Sequence, residues 1–256
     1  GDIKQLMDSM LGQEERWPLH VLAILSSVGW TGPRADEGRS IAAHFELDWS
    51  QVQARVERFH QQFGIAPRAN DLRYISPAPL GVYLALDAIQ SYPDKVRTLP
   101  DRLPNDQARH AYNERIAAIL ANPRAKAFGE EELARFFHWR HFLDANAVDR
   151  WVTLSLANPV VAAGNAREAL QKANDAERRQ IDGGARRSLV RGLARLASYS
   201  DAFHDAVLAL AELAAAENAV WANNASAKFV ARFQLFLGGT ARPYLDRLAV
   251  LDELLA

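Results

Sequence analysis

The chain has 256 residues, 49% of them hydrophobic, so it can bury one large or two modest cores and is not globally disordered. Its formal net charge is −1, without the basic excess of proteins that grip many duplex phosphates. Cysteine is absent, which excludes disulfides and thiolate chemistry.

No uninterrupted apolar run is long enough for a membrane span, and no basic-then-apolar leader opens the chain. The expected location is the cytoplasm. The chain begins Gly1-Asp2 rather than with Met, which reads as a tag remnant ahead of a piece excised from a longer protein.

In chain order, Asp2 to Leu11 is a short amphipathic segment that places Ile3, Leu6, Met7 and Met10 on one face. Trp17 to Ser27 predicts a helix opened by Pro18 and apolar nearly all round, as a central buried helix would be. Gly29 to Gly38 reads as a loop. Arg39 to Leu47 predicts a helix with Ile41, Ala42 and Phe45 inward, and Asp48 is placed to cap the next one, Trp49 to Phe63. Two helices joined by a tight turn make a helix–turn–helix. Gly64 to Pro67 starts a hairpin-like wing, and Asp71 to Ser76 alternates as a half-buried strand with Leu72 and Tyr74 inward.

From Leu80 onward the pattern is almost purely helical. Helices are predicted at 80–89, 105–121, 130–144, 147–157, 166–175, 184–197, 201–217, 226–237 and 244–255, with short polar separators. The last six pair at intervals of about forty residues, within the range of HEAT-like solenoids. The expected fold is therefore mainly α: a winged-helix domain over 1–77, then an α-helical superhelix over 78–256, HEAT-like or irregular.

Candidate chemistry is sparse. No glycine is followed by lysine, so a P-loop is missing, and no Gly-x-Ser-x-Gly elbow occurs. His138 and His141, spaced i, i+3 on the predicted helix 130–144 with Asp144 a turn further, could face a divalent ion, but they read better as a solvated helix face. His20 and His44 read as helix-surface or semi-buried positions. No catalytic residue, metal or cofactor is expected.

The helix Trp49–Phe63 exposes Gln51, Gln53, Arg55 and Arg58, residue types that can read base edges. Acidic neighbours cancel the basic residues around them, however, so nucleic acid is not the favoured partner. Arg187, Arg191 and Arg195 recur every four residues beside Arg186, a stripe that could meet an acidic partner, with balance by neighbouring helices as the plainer alternative. Asn223 and Asn224 precede the predicted helix 226–237, where they can cap it and bind a neighbouring backbone, a structural role, with an interaction surface as the alternative.

Three stretches carry a family resemblance: RYISPAPLGVYLA, RRSLVRGLARLA, and ENAVWANNASAKFVARFQLFLGGTARPYLDRLAVLDELL. Together they resemble the region downstream of the ATPase core in large bacterial STAND-class NTPases, relatives of NLR-type immune sensors. The resemblance implies a winged helix over Trp17–Ser76 and the start of a sensor array from Leu80, in a family often active in antiviral defence. It also implies that any nucleotide chemistry lies upstream. The expected partners are a protein trigger or that upstream NTPase core, with Arg187, Arg191, Arg195, Asn223 and Asn224 as candidate contacts. The alternative expectation is a winged-helix transcription regulator that contacts DNA through Gln51, Gln53, Arg55 and Arg58.

Overall fold

The structure, a computed structural model, describes residues 5, 9, 16–120, 122–235 and 238–255. The segment expected over Asp2–Leu11 lies outside them apart from Gln5 and Ser9. The described chain is mainly helical, with one small three-stranded sheet. It forms two compact units, Gly1–Phe128 and Gly129–Ala256.

The first unit is built around α1 (Trp17–Ala23), which starts at Pro18 and is buried on every side, with Leu19, Val21, Leu22 and Ala23 fully enclosed. The helix is shorter than expected. Ile24 and Leu25 continue the burial, but the chain then enters a strand, β1 (Val28–Gly29), inside the stretch that reads as helix and loop. The Ser26 amide donates to the Ala111 carbonyl (2.9 Å), so a tertiary hydrogen bond replaces the helical one.

α2 (Ala35–His44) and α3 (Trp49–Phe63) follow. α2 begins four residues before the expected Arg39, because Glu37 turns inward; its buried carboxylate accepts from the Gly29 amide (2.7 Å) and from Arg34 Nε (2.7 Å). Asp48 caps α3, accepting from the Gln51 amide (2.9 Å), and Gly64 ends it in the left-handed region at φ 69°.

β2 (Arg68–Ala69) and β3 (Leu72–Arg73) form a hairpin whose turn uses Asn70 at φ 53°. The sheet order is β1-β3-β2, antiparallel throughout, with Val28 opposite Arg73 and Ala69 opposite Leu72. The inward residues of this strand are Arg73 and Ile75, one position off the expected Leu72 and Tyr74. A one-residue shift exchanges the faces of a strand completely. Arg73 takes the inner face because its guanidinium lies over the Trp30 ring (5.3 Å) and reaches Glu57 (2.7 Å).

Trp30 also meets Trp49 edge-on, with 4.6 Å between ring centroids. Gly38 makes this possible: a Cβ there would overlap the edge of the Trp49 ring. Gly38→Ala is expected to lower stability by about 1–3 kcal/mol, the range for overpacking, read as a fall in the urea midpoint.

The first unit does not end with the hairpin at residue 77. α4 (Ala78–Ser91) packs on α1, α6 (Asp106–Leu120) packs on α4 and β1, and α5 (Pro93–Thr98) lies against α4. Tyr112 hydroxyl donates to the Val96 carbonyl (3.0 Å). The apolar faces of α4 and α6 thus complete the core around α1. The unit boundary falls within α7 (Pro123–Leu133).

The second unit contains α8 (Ala145–Leu154), α9 (Pro159–Gln171), α10 (Asp175–Gln180), α11 (Gly183–Leu196), α12 (Phe203–Ala215), α13 (Ala225–Ala231) and α14 (Tyr244–Leu255). The principal pairings are α9 with α12, α8 with α11, α12 with α13, and α11 with α12. The buried faces of α9 and α12 are rich in alanine (Ala162, Ala163, Ala166, Ala169; Ala206, Ala209), so the backbones can approach closely. Gly192 on α11 serves the α8 contact, since a Cβ there would lie 2.8 Å from both Trp151 and Val152.

Two expected helices are corrected here. The stretch 130–144 is not one helix: α7 stops at Leu133, and a 3-10 turn occupies Trp139–Phe142, with Trp139 and Phe142 buried. The stretch 226–237 ends as helix at Ala231; beyond it, Arg247 Nη1 takes the carbonyls of Arg232 (2.7 Å) and Gln234 (2.9 Å), which a continuing helix would need for itself. Phe236 and Leu237 lie outside the described residues.

Candidate functional site

The candidate surface lies on α11, in the second unit. Its apolar residues Leu189, Val190, Leu193 and Leu196 are buried, and Gly192 seats the helix against α8. Helical periodicity then leaves Arg187, Arg191 and Arg195 in one exposed row. Among the described residues, none of the three has a carboxylate within ion-pair distance. Arg191 Nη2 reaches only Ser188 Oγ (3.5 Å), and the Arg187 guanidinium lies 5.7 Å from the Trp221 ring centroid.

Elsewhere in the unit, several arginines are matched to acids, while Arg232 and Arg247 bind backbone carbonyls. Arg167 pairs with Asp205 (2.9 Å) and Glu253 (3.3 Å), Arg178 with Asp175 (2.8 Å) and Glu212 (2.5 Å), and Arg135 and Arg150 with Glu132. Arg242 pairs with Asp246 (3.2 Å).

Arg186, adjacent to the row in sequence, does the opposite of its neighbours. It is 1% exposed and donates to the carbonyls of Arg178, Ile181, Leu213 (2.6 Å) and Ala216, and to Glu217 (3.3 Å). One guanidinium therefore closes the C-terminal ends of α10 and α12 together. Burial pushes its pKa below the ordinary arginine value, and the Glu217 charge opposes that shift.

Glu217 accepts from the amides of Asn218, Ala219 and Ser226 and from the Ser226 hydroxyl. Burial alone would raise its pKa. The Ser226 amide, the Arg186 charge, the Ala219 amide and the Ser226 hydroxyl outweigh burial and hold the carboxyl below the ordinary glutamate range. A carboxylate with a depressed folded-state pKa adds stability that is present above its unfolded value and is lost as pH falls through the folded value. Glu217→Gln is therefore expected to lower stability by about 1–2 kcal/mol at neutral pH and to make the acid-side fall shallower than in the parent. Urea midpoints measured across pH check both.

Asn224 caps α13, accepting from the Ala227 amide (3.0 Å) and donating to the Ala219 carbonyl (2.9 Å), so its side chain is committed inside the unit. Asn223 is exposed. His138 and His141 do not share a helix: His138 Nδ1 accepts from the Arg140 amide, and His141 Nδ1 accepts from the His138 amide, so the two bracket the 3-10 turn. Asp144 caps α8 through the Ala147 amide (2.9 Å). Among the described residues, no group of three or more His, Cys, Asp or Glu is placed to hold a metal ion.

In the first unit, Gln51 and Arg58 are exposed on α3, while Gln53 and Arg55 are half-buried. Glu57 sits between them and holds both Arg68 and Arg73 of the hairpin at 2.7 Å. The bond from Arg73 is the main reason its pKa is lowered. The hairpin cations are thus turned onto α3 itself.

Sequence reasoning missed one cluster. His20 is buried (5% exposed), not a surface residue, and its Nε2 lies 2.9 Å from Asp87 on α4, with Arg16 Nη1 at 3.6 Å from the same carboxylate. The hydrogen bond from His20 is the first cause of the depressed Asp87 pKa. The only sequence signal is polarity in an apolar helix, which does not identify a partner 67 residues away. Compared with protein-family models, curated proteins and solved structures, the chain shows no match.

Proposed function

We propose that this chain is a non-catalytic regulatory and protein-recognition piece of a STAND-like signalling NTPase: a winged helix followed by a helical array. The order of elements in the first unit carries the reading: helix, strand, two helices, then a hairpin whose second strand pairs with the first in the order β1-β3-β2. We read that order as a winged helix.

The pairing of α8 with α11 and α9 with α12 supports a repeat-like stack in the second unit. Arg186, Glu217, Glu57 and Asp48 are engaged in joining or capping elements, which supports a structural rather than a catalytic use of these charges. The winged helix would hold the upstream NTPase core at rest, and a partner on the helical array would release it. The paired hairpin arginines favour a packing role for the winged helix over duplex reading.

The purified chain is expected to hydrolyse no ATP above the buffer rate and to give no gel shift with duplex DNA at low salt. Hydrolysis would overturn the non-catalytic reading. A shift that weakens steeply with salt would favour the transcription-regulator alternative instead.

A further inference from the structure

We propose that the row Arg187–Arg191–Arg195 on α11 is a docking rail for an acidic helix of a partner protein. This rests on the protein-recognition reading above and names the chemistry of what is recognised.

Three observations carry it. The first is spacing. Residues four apart on a helix are separated by about 6 Å along its axis, so the three guanidinium groups span two helical turns. A partner helix with carboxylates at i, i+4 and i+8 has the same repeat and can present one acid to each arginine.

The second is electrostatic vacancy. Among the described residues no carboxylate lies within ion-pair distance of any of the three. Six other arginines of the unit have one, and Arg232 and Arg247, which also lack one, are held by backbone carbonyls instead, whereas nothing comparable engages the row. The planar guanidinium offers each incoming carboxylate a two-pronged contact.

The third is the flanks. Trp221 lies against Arg187 at one end, next in sequence to fully exposed Val220. Tyr199, 43% exposed, follows Arg195 by four residues in the turn after α11. An amphipathic acidic helix would use both: charge along the rail, apolar side chains at its ends.

Nucleic acid fits less well. Three cations neutralise few phosphates compared with the roughly 6–10 contacts of a typical duplex site. Exposed Asp182 and Asp201 bracket the row in sequence, and the chain as a whole is not basic.

The test uses the whole chain and a synthetic helical peptide carrying glutamate at three successive i, i+4 positions with a leucine or tryptophan near each end. Fluorescence anisotropy is expected to show binding that weakens with salt. The triple variant Arg187→Glu, Arg191→Glu, Arg195→Glu should lose roughly tenfold or more in affinity, as should the parent with a peptide in which glutamine replaces glutamate. A lysine version of the peptide should bind the triple variant and not the parent. All three positions are exposed, so the triple variant should stay folded with only a small fall in its melting temperature, chiefly from Arg195→Glu in the last turn of α11.

The rail is overturned if the acidic peptide does not bind, or if the triple variant binds it as well as the parent. It is also overturned if a single-stranded oligonucleotide binds more tightly than the peptide and depends on the same arginines. Because ATP hydrolysis is a separate readout, a chain that neither hydrolyses ATP nor binds the peptide defeats the rail alone, whereas hydrolysis defeats the underlying reading.

Discussion

Replacing Arg186 by leucine is expected to destabilise the second unit by about 3–5 kcal/mol, the range for removing one partner of a buried charged cluster. The physical reason is the number of groups it serves. Its guanidinium donates to the carbonyls of Arg178, Ile181, Leu213 and Ala216, the first two of which also accept from the Ile181 amide and the Asn218 side chain respectively. Leucine fills part of the volume but leaves those oxygens without that donor and Glu217 without its counter-charge.

Arg186→Lys separates charge from geometry. It keeps the cation, but an ammonium cannot reach five acceptors arranged around a fork, so most of the loss should remain. Urea unfolding gives the magnitude, and amide exchange in α10 and α12 should rise locally with either substitution. Full retention of stability in the lysine variant would show that charge, not the fork, holds the joint. The adjacent Arg187→Leu is the internal control: it is exposed, and its effect on stability should stay within about 0.5 kcal/mol.

The second large effect is expected at Trp30. Trp30→Ala should lower the stability of the first unit by about 3–5 kcal/mol, as for other large-to-small aromatic truncations. Trp30 is 2% exposed and stands between the Trp49 ring and the Arg73 guanidinium. Its removal opens a void where Gly38 already lets α2 and α3 approach closely, and it takes the aromatic face from a fully buried cation. Trp30→Phe should recover much of the loss. Near-UV circular dichroism reports the Trp30–Trp49 pair, and exchange of the Trp30 amide, bonded to the Asp71 carbonyl (2.7 Å), reports the hairpin junction. An alanine variant with an unchanged urea midpoint would show that this aromatic–cation stack contributes little.

What could be read directly from the residues was whatever depends on near neighbours in the chain. The helical character, the Asp48 cap and the exposed arginine row follow from periodicity and local hydrogen bonding within a few residues. The buried α1 follows from composition alone, because a short helix that is apolar all round has no solvent face.

Tertiary contacts decided the rest. β1 consists of two residues, too few to carry an alternation, and exists because β3 pairs with it. Arg73 faces inward against the hydropathy pattern because Trp30 and Glu57 receive it. Arg186 and Arg187 are adjacent and chemically identical, yet one is a buried joint and the other a surface cation. Their difference is set by a helical step of about 100° and by carbonyls that α12 supplies from some 30 residues away. Chain-local rules act over one or two helical turns; burial of a charge requires partners that only folding brings within reach.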